Sequence, residues 1–394
     1  MIQEQIPVTE KLRDYESINR PTAARLTAGG RGAVATIRVV GELTSSPGGS
    51  QCESIDLFFR AANGLPLSQQ PLQKIAFGQW GTVPREDLTV CRLSKDVLEI
   101  HCHGGDSAVE RVLSDLEKAN CRLLEWQTQL TLETDILQAE CQNVLSQTTT
   151  WRTTQIALEQ ANGLLRTTFA RLLTLEDESE LFRALDDLID WSDFGLHLSV
   201  PWSVVLTGRP NVGKSSLINA LLGYQRAIVF DQPGTTRDVV TGETAFEGWP
   251  VVLADTAGIR RDAPGLESAG MALAEEKLRA ADLQLIVIDL SQPPTEEDHD
   301  LLRKWPQALI VGQKSDLPNQ WSSGLPRETQ PVSARHGLGL IDLQQKLVRR
   351  LVPRTPPAGT PLPITVRQVE LLRAARQAAS SRDRRTAIEQ LQYT

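Results

Sequence analysis

Gly208, Gly213, Lys214 and Ser215 fill the pattern G-x-x-x-x-G-K-[ST] within GRPNVGKSS. That spacing suits one chemistry, the holding of a nucleoside triphosphate. The glycines let the backbone wrap an anion, so that the stretch Asn211, Val212, Gly213, Lys214, Ser215 and Ser216 can aim its amides at phosphate oxygens. Lys214 would reach the β- and γ-phosphates, and the Ser215 hydroxyl would ligate Mg²⁺. Downstream lies DQPGTTRD, polar and rich in turn formers. Its residues Asp231, Gln232, Pro233, Gly234, Thr235 and Thr236 are expected around the nucleotide, with a second hydroxyl for Mg²⁺ from Thr235 or Thr236. In VVLADTAG, Asp255 ends an apolar run as a metal-orienting carboxylate. Thr256 and Ala257 follow it, and Gly258 is free to approach the γ-phosphate.

The base is read further on. In QKSD, Gln313, Lys314 and Asp316 resemble the NKxD motif of GTPases. The Asp316 carboxylate would accept the two N–H groups on guanine's Watson–Crick edge, bonds of the stronger, charge-assisted kind. Adenine offers an acceptor there and lacks the 2-amino group. Ser333, Ala334 and Arg335 match the loop whose backbone amide reads the guanine oxygen. Gln313 stands in place of Asn, and the longer amide is expected to lose one bond, to the base or to the loop. Guanine preference should survive with weaker affinity.

These residues need particular elements beneath them. Trp202 to Leu206 reads as a short buried strand, and SSLINALLG as a helix with Leu217, Ala220 and Leu221 on one face. The phosphates would then meet a helix N-terminus, where the dipole favours anions. LQLIVIDLS and ALIVGQKSD read as two further buried strands. Strands of continuous apolar residues alternating with helices predict a mostly parallel, doubly wound α/β sheet. Ligands sit at the carboxyl ends of such strands, where every motif above falls.

The motifs GRPNVGKSS, PGTTRD and DTAG together resemble the translation-associated GTPases that include Era, Der and MnmE (also called TrmE). Ile259 follows DTAG, where Ras-like enzymes place a water-orienting Gln. DVLEIHCHGG, from Asp96, is similar to the E-[VIL]-x-x-H-G-G stretch of MnmE, and GGRGAVATIRVVGE, from Gly29, to that family's opening. The MnmE resemblance implies homodimers with an α+β N-terminal folate-binding domain, an α-helical domain, and a P-loop GTPase domain inserted into the latter. On this chain the divisions are 1–124 for folate binding and dimerisation, 125–199 for the first helical part, 200–352 for the GTPase, and 353–394 for the second helical part.

The resemblance also implies K⁺ activation, with Asn211 as the side-chain ligand, and Glu267 as the catalytic, water-orienting carboxylate. Read alone, Glu267 could equally be a solvated first-turn carboxylate. Arg38 and Glu99 fall on folate-contacting positions, for 5-formyl- or methylene-tetrahydrofolate. Partners would be GTP and GDP, the flavin-dependent MnmG, and tRNA. Two departures weaken the folate side. The family's P-G-E-F-[ST]-x-R-A-F-L-N-x-K-x-D-L is here LLEWQTQLTLETDILQAECQ, which keeps at most D-x-x-Q-A-E and lacks the folate-contacting lysine, and the family's Cys-x-Gly-Lys ending has no counterpart in IEQLQYT. Two readings of function therefore remain: wobble-uridine modification of tRNA, or a GTP-dependent switch or scaffold, in RNA or ribosome assembly, without that chemistry.

Composition sets outer bounds. At 394 residues and 40% apolar content the chain can form two or three cored domains. No membrane span is visible, and the polar start MIQEQIPVTEKLRDYE predicts no signal peptide, hence a cytoplasmic protein. The five scattered cysteines read as reduced thiols. His101 and His103 share a strand face but lack a second pair for a tetrahedral metal. A net charge of −8 argues against broad nucleic-acid coating. Arg367, Arg373, Arg376, Arg382, Arg384 and Arg385 form a local exception, a solvated basic face or an RNA-contacting one. The Pro-rich span from Val352 to Pro363 reads as a linker.

Overall fold

The protein is described by a computed structural model covering residues 20–30, 32–41, 55–223, 241–255, 275–321 and 324–392. Of the residues singled out above, Asp231 through Thr236, Thr256, Ala257, Gly258 and Glu267 lie outside this set. The chain divides into two compact units, one running to Ala139 and one from Glu140 to Tyr393.

The first unit is built on a seven-stranded sheet of order β3-β4-β5-β6-β2-β1-β7. Its strands are β1 (Thr22–Arg25), β2 (Val34–Val40), β3 (Phe59–Ala61), β4 (Ile75–Trp80), β5 (Glu86–Arg92), β6 (Val97–His103) and β7 (Arg122–Leu123). All neighbours are antiparallel except β1 and β7. Alternation decides which side is buried. Ala35, Ile37 and Val39 on β2, and Leu98, Ile100 and Cys102 on β6, point into one core. Helix α1 (Asp106–Lys118) closes that core with Val109, Val112 and Leu116. The intervening residues Thr36, Arg38, Glu99 and His101 therefore share the opposite face. Between β6 and α1, a Cβ on Gly104 would lie 2.1 Å from the Gly32 carbonyl oxygen, so only glycine fits. Helix α2 (Trp126–Glu133) belongs to this unit, which is why the unit extends beyond Glu125.

The second unit holds a six-stranded sheet of order β13-β12-β11-β8-β10-β9. Here β8 is Trp202–Thr207, β9 Thr241–Phe246, β10 Trp249–Asp255, β11 Leu283–Asp289, β12 Leu309–Gln313 and β13 Gln330–Pro331. Only the β9–β10 pair is antiparallel. Strand β11 shows why continuous apolar runs were needed. Leu283, Leu285 and Val287 enter the core on one side, and Ile286 and Ile288 the core on the other. The flanks of this fold meet again across long sequence distances. Helices α3 (Ile136–Gln147), α4 (Trp151–Glu159), α5 (Leu165–Thr174), α6 (Glu178–Asp190) and α7 (Ser192–Leu196) precede β8, and helix α8 (Lys214–Gly223) follows it. Later come α9 (Glu296–Lys304), α10 (Leu340–Leu351), α11 (Val366–Gln377) and α12 (Ser381–Glu389). Thr150, Asp177, Thr365 and Ser380 start α4, α6, α11 and α12 as N-caps whose side chains accept backbone amides.

Two sequence readings are refined here. The arginines of α11 and α12 divide: Arg373, Arg382 and Arg385 are exposed, as on a solvated face, while three others are held by distant acidic partners. Arg367 pairs with Glu140 at 2.6 Å, Arg376 with Asp186 at 2.7 Å and Arg384 with Glu178 at 2.6 Å. Their acidic partners lie before the nucleotide-binding segment, out of reach of any local reading. The Pro-rich span does connect α10 to α11, but it is docked along its length rather than loose. Gln160, itself buried, donates to the Thr360 carbonyl and accepts from the Leu362 amide. Leu362 and Ile364 are buried, so apolar residues among the prolines dock the span onto the helices.

Candidate nucleotide-binding site

Strand β8 lies between β11 and β10, so the connections leave it in opposite directions and open a crevice at its carboxyl end. The loop from Gly208 to Gly213 fills that position and runs straight into α8. Leu217, Ile218 and Leu221 anchor the helix in the core beneath. A Cβ on Gly208 would lie 2.3 Å from the Val287 carbonyl oxygen, and its φ of +149° suits glycine. Asn211 is exposed, with a left-handed φ of +63°. Val212 is buried against the core, Ser216 exposed.

Lys214 is buried, and its ammonium donates to the carbonyls of Gly208 (2.9 Å) and Arg209 (3.0 Å). The cation thus sits inside the loop that would surround the phosphates. Ser215 Oγ donates to Asp255 Oδ2 at 3.0 Å, and Asp255 is buried at the end of β10. A hydroxyl and a carboxylate side by side are hard oxygen donors, the set Mg²⁺ takes with nucleotide phosphates.

Gln313 ends β12 in a buried position and spans two loops. Its amide nitrogen donates to the Gly213 carbonyl at 3.4 Å, and its oxygen accepts from the amides of Ala334 (3.2 Å) and Lys314 (3.1 Å). Phosphate loop and base loop are thereby joined through one side chain, and both loop contacts are made despite the extra methylene. Asp316 is hydrogen-bonded by Ser333, which holds its carboxyl below the usual range, with His336 and Arg335 adding in the same direction. His336 Nε2 lies 3.6 Å from Asp316 Oδ2. Lys314 pairs with Asp289, whose burial would raise its carboxyl pKa; the bonds from Lys314 and Ser291 outweigh that and lower it. The sequence reading missed Asp289, although it ends β11 where ligands of such sheets gather.

Arg38 and Glu99 are cross-strand partners in register on β2 and β6. Arg38 Nη2 donates to Glu99 Oε1 at 2.6 Å and Nη1 to Glu133 Oε2 at 2.9 Å. Burial works against the guanidinium's charge, but the bonds to Glu99 and Glu133 outweigh it and raise its pKa. Glu133 was not anticipated, being on helix α2 and far away in sequence. His101 Nδ1 meets Thr36 Oγ1 at 3.1 Å. Among the described residues no group of three or more His, Cys, Asp or Glu is placed to hold a metal ion. Cys91, Cys102 and Cys121 are free thiols, and burial pushes the Cys121 thiol up to about 12. Among the described residues no helix is long and apolar enough to cross a membrane.

Residues 203–314 match a family model described as a 50S ribosome-binding GTPase. The chain is also similar to two curated proteins named tRNA modification GTPase MnmE. The one from Geobacillus kaustophilus (strain HTA426) is 32% identical, covering 82% of this chain and 80% of the relative. The one from Synechococcus sp. (strain WH7803) is 32% identical, covering 86% and 82%. The loop ending at Lys214, the Ser215 and Asp255 oxygens and the loops after β12 and β13 gather at the carboxyl ends of one sheet's strands, and the likeness extends well beyond them; the chain is a GTP-hydrolysing enzyme and belongs to the MnmE family of tRNA modification GTPases.

Proposed function

We propose that this enzyme is a K⁺-activated GTPase acting, as a homodimer in the cytoplasm, in modification of the wobble uridine of tRNA. One observation carries this reading. A likeness over 82% of the chain cannot be contained in the second unit, so it includes part of the N-terminal one as well. Ser215 and Thr236, with Asp255 behind them, would hold Mg²⁺, which would supply charge neutralisation for the β- and γ-phosphates. Lys214 holds the same phosphates, Asp316 selects guanine, and Glu267 orients the attacking water. Asn211 offers an amide oxygen to K⁺, beside the loop ending in Thr235. Helices on both sides of the inserted GTPase would form one domain, as the family plan has it, and MnmG and tRNA would be the partners. Wobble uridines in tRNA from cells lacking this protein should lose their modification by mass spectrometry. Unchanged modification would overturn the proposal and favour a switch or scaffold in RNA or ribosome assembly.

A specific observation keeps that second reading in play. In LETDIL, aligned on its aspartate, Glu133 takes the place of the family's lysine, and it binds Arg38. The Arg38 guanidinium thus meets carboxylates on two sides, a poor fit to the anionic tail of a reduced folate. Affinity for 5-formyltetrahydrofolate should accordingly be weak. Glu133→Gln should release Arg38 and tighten binding about tenfold, since a charge-assisted bond contributes ~1.5–3 kcal/mol. Titration calorimetry on the full chain tests this. No heat with either protein would remove folate as a ligand and leave the N-terminal unit as a dimerisation module.

A further inference from the structure

We infer that Asp298, on helix α9, is a positioning residue for the nucleotide loop and acts through Arg209. Asp298 is wholly buried, at 0% exposure. Its Oδ2 accepts from the amide and hydroxyl of Thr295, both at 2.9 Å, closing a capping box at the start of α9. Its Oδ1 accepts from Arg209 Nε at 2.9 Å. A capping box alone needs no buried charge, and a buried carboxylate is costly unless paired. Arg209 is its recorded ion-pair partner. The arginine follows Gly208 directly, and its own carbonyl accepts from Lys214 Nζ at 3.0 Å. Holding the Arg209 side chain therefore fixes the carbonyl that seats the phosphate-binding lysine.

The entry of the loop runs close along β11, where a Cβ on Gly208 would lie 2.3 Å from the Val287 carbonyl oxygen, and α9 follows that same strand. The exit of the loop is held separately, by Gln313 on the Gly213 carbonyl. With both ends fixed, the amides between them keep one orientation, and small misplacements of positioning groups cost rate and affinity out of proportion to the distance moved. The pair also commits the loop's own arginine to a structural partner, away from the phosphates.

Capping and positioning can be separated because the two Asp298 oxygens serve different partners. Thr295→Ala removes the cap hydroxyl and leaves the Arg209 pair. It should lower the melting temperature while the Kd for a fluorescent GTP analogue stays at the parental value. Arg209→Ala and Asp298→Asn should each raise that Kd about tenfold or more, and the double variant should be no worse than the worse single. Should Asp298→Asn fail to fold, Arg209→Lys replaces it; the lysine keeps a cation for Asp298 and should recover most of the affinity lost in Arg209→Ala. Unchanged Kd in Arg209→Ala, or a Lys variant no better than Ala, would overturn the inference. So would additive losses in the double variant, which would mean that Arg209 acts on the nucleotide by itself, or an equal rise in Thr295→Ala.

Discussion

Lys214→Ala is expected to raise the Kd for GTP roughly 10²–10⁴-fold, since two charge-assisted bonds to phosphate would be lost at ~1.5–3 kcal/mol each. The ammonium is buried and already seated on the Gly208 and Arg209 carbonyls, so it needs little reorganisation to meet the β- and γ-phosphates. The same contacts mean that alanine also frees two carbonyls inside the loop. Melting without nucleotide must therefore be compared alongside. A modest loss of stability with a large loss of binding is the expected pattern, read by equilibrium titration with a fluorescent GTP analogue. Retained tight binding would contradict the assignment of this loop to phosphate. Unfolding alone would not support it, which is why both measurements are needed.

What the sequence disclosed and what it concealed follow from the range of the interactions. The strand, loop and helix around Gly208 were legible because their signals are local: an apolar run, glycines at fixed offsets, and Leu217 and Leu221 one helical turn apart. Gln313 was legible as a position but not as a bridge, because its partners Gly213 and Ala334 come from separate loops. Arg38 with Glu133, Arg209 with Asp298, and Arg376 with Asp186 are likewise products of the tertiary fold. No periodicity marks such pairs, so the C-terminal arginines showed only Glu370, Asp383 and Glu389 as acidic neighbours when read along the chain. The docking of the Pro-rich span was hidden for a related reason. Its prolines carry the local signal, while Leu362 and Ile364, which decide its docking, are too few to form a pattern.

Glu267→Ala is expected to slow single-turnover GTP cleavage ~10²–10⁴-fold, the worth of one positioned catalytic group, with GTP affinity nearly unchanged. The split follows from the proposed role, since a carboxylate that touches only the attacking water contributes nothing before the chemical step. Cation exchange tests the same step independently. With Arg209 held by Asp298, further positive charge in the transition state has to come from elsewhere. An arginine finger in that role is worth ~10³–10⁵-fold in other GTPases, and a K⁺ ion on the Asn211 oxygen would supply part of it. Cleavage in KCl should therefore be much faster than in NaCl at equal ionic strength, and Asn211→Ala should abolish the difference while sparing binding. Equal rates in the two salts would remove the K⁺ assignment but leave Glu267 standing. Parental cleavage by Glu267→Ala would do the reverse, making that residue a first-turn carboxylate that serves only the helix dipole.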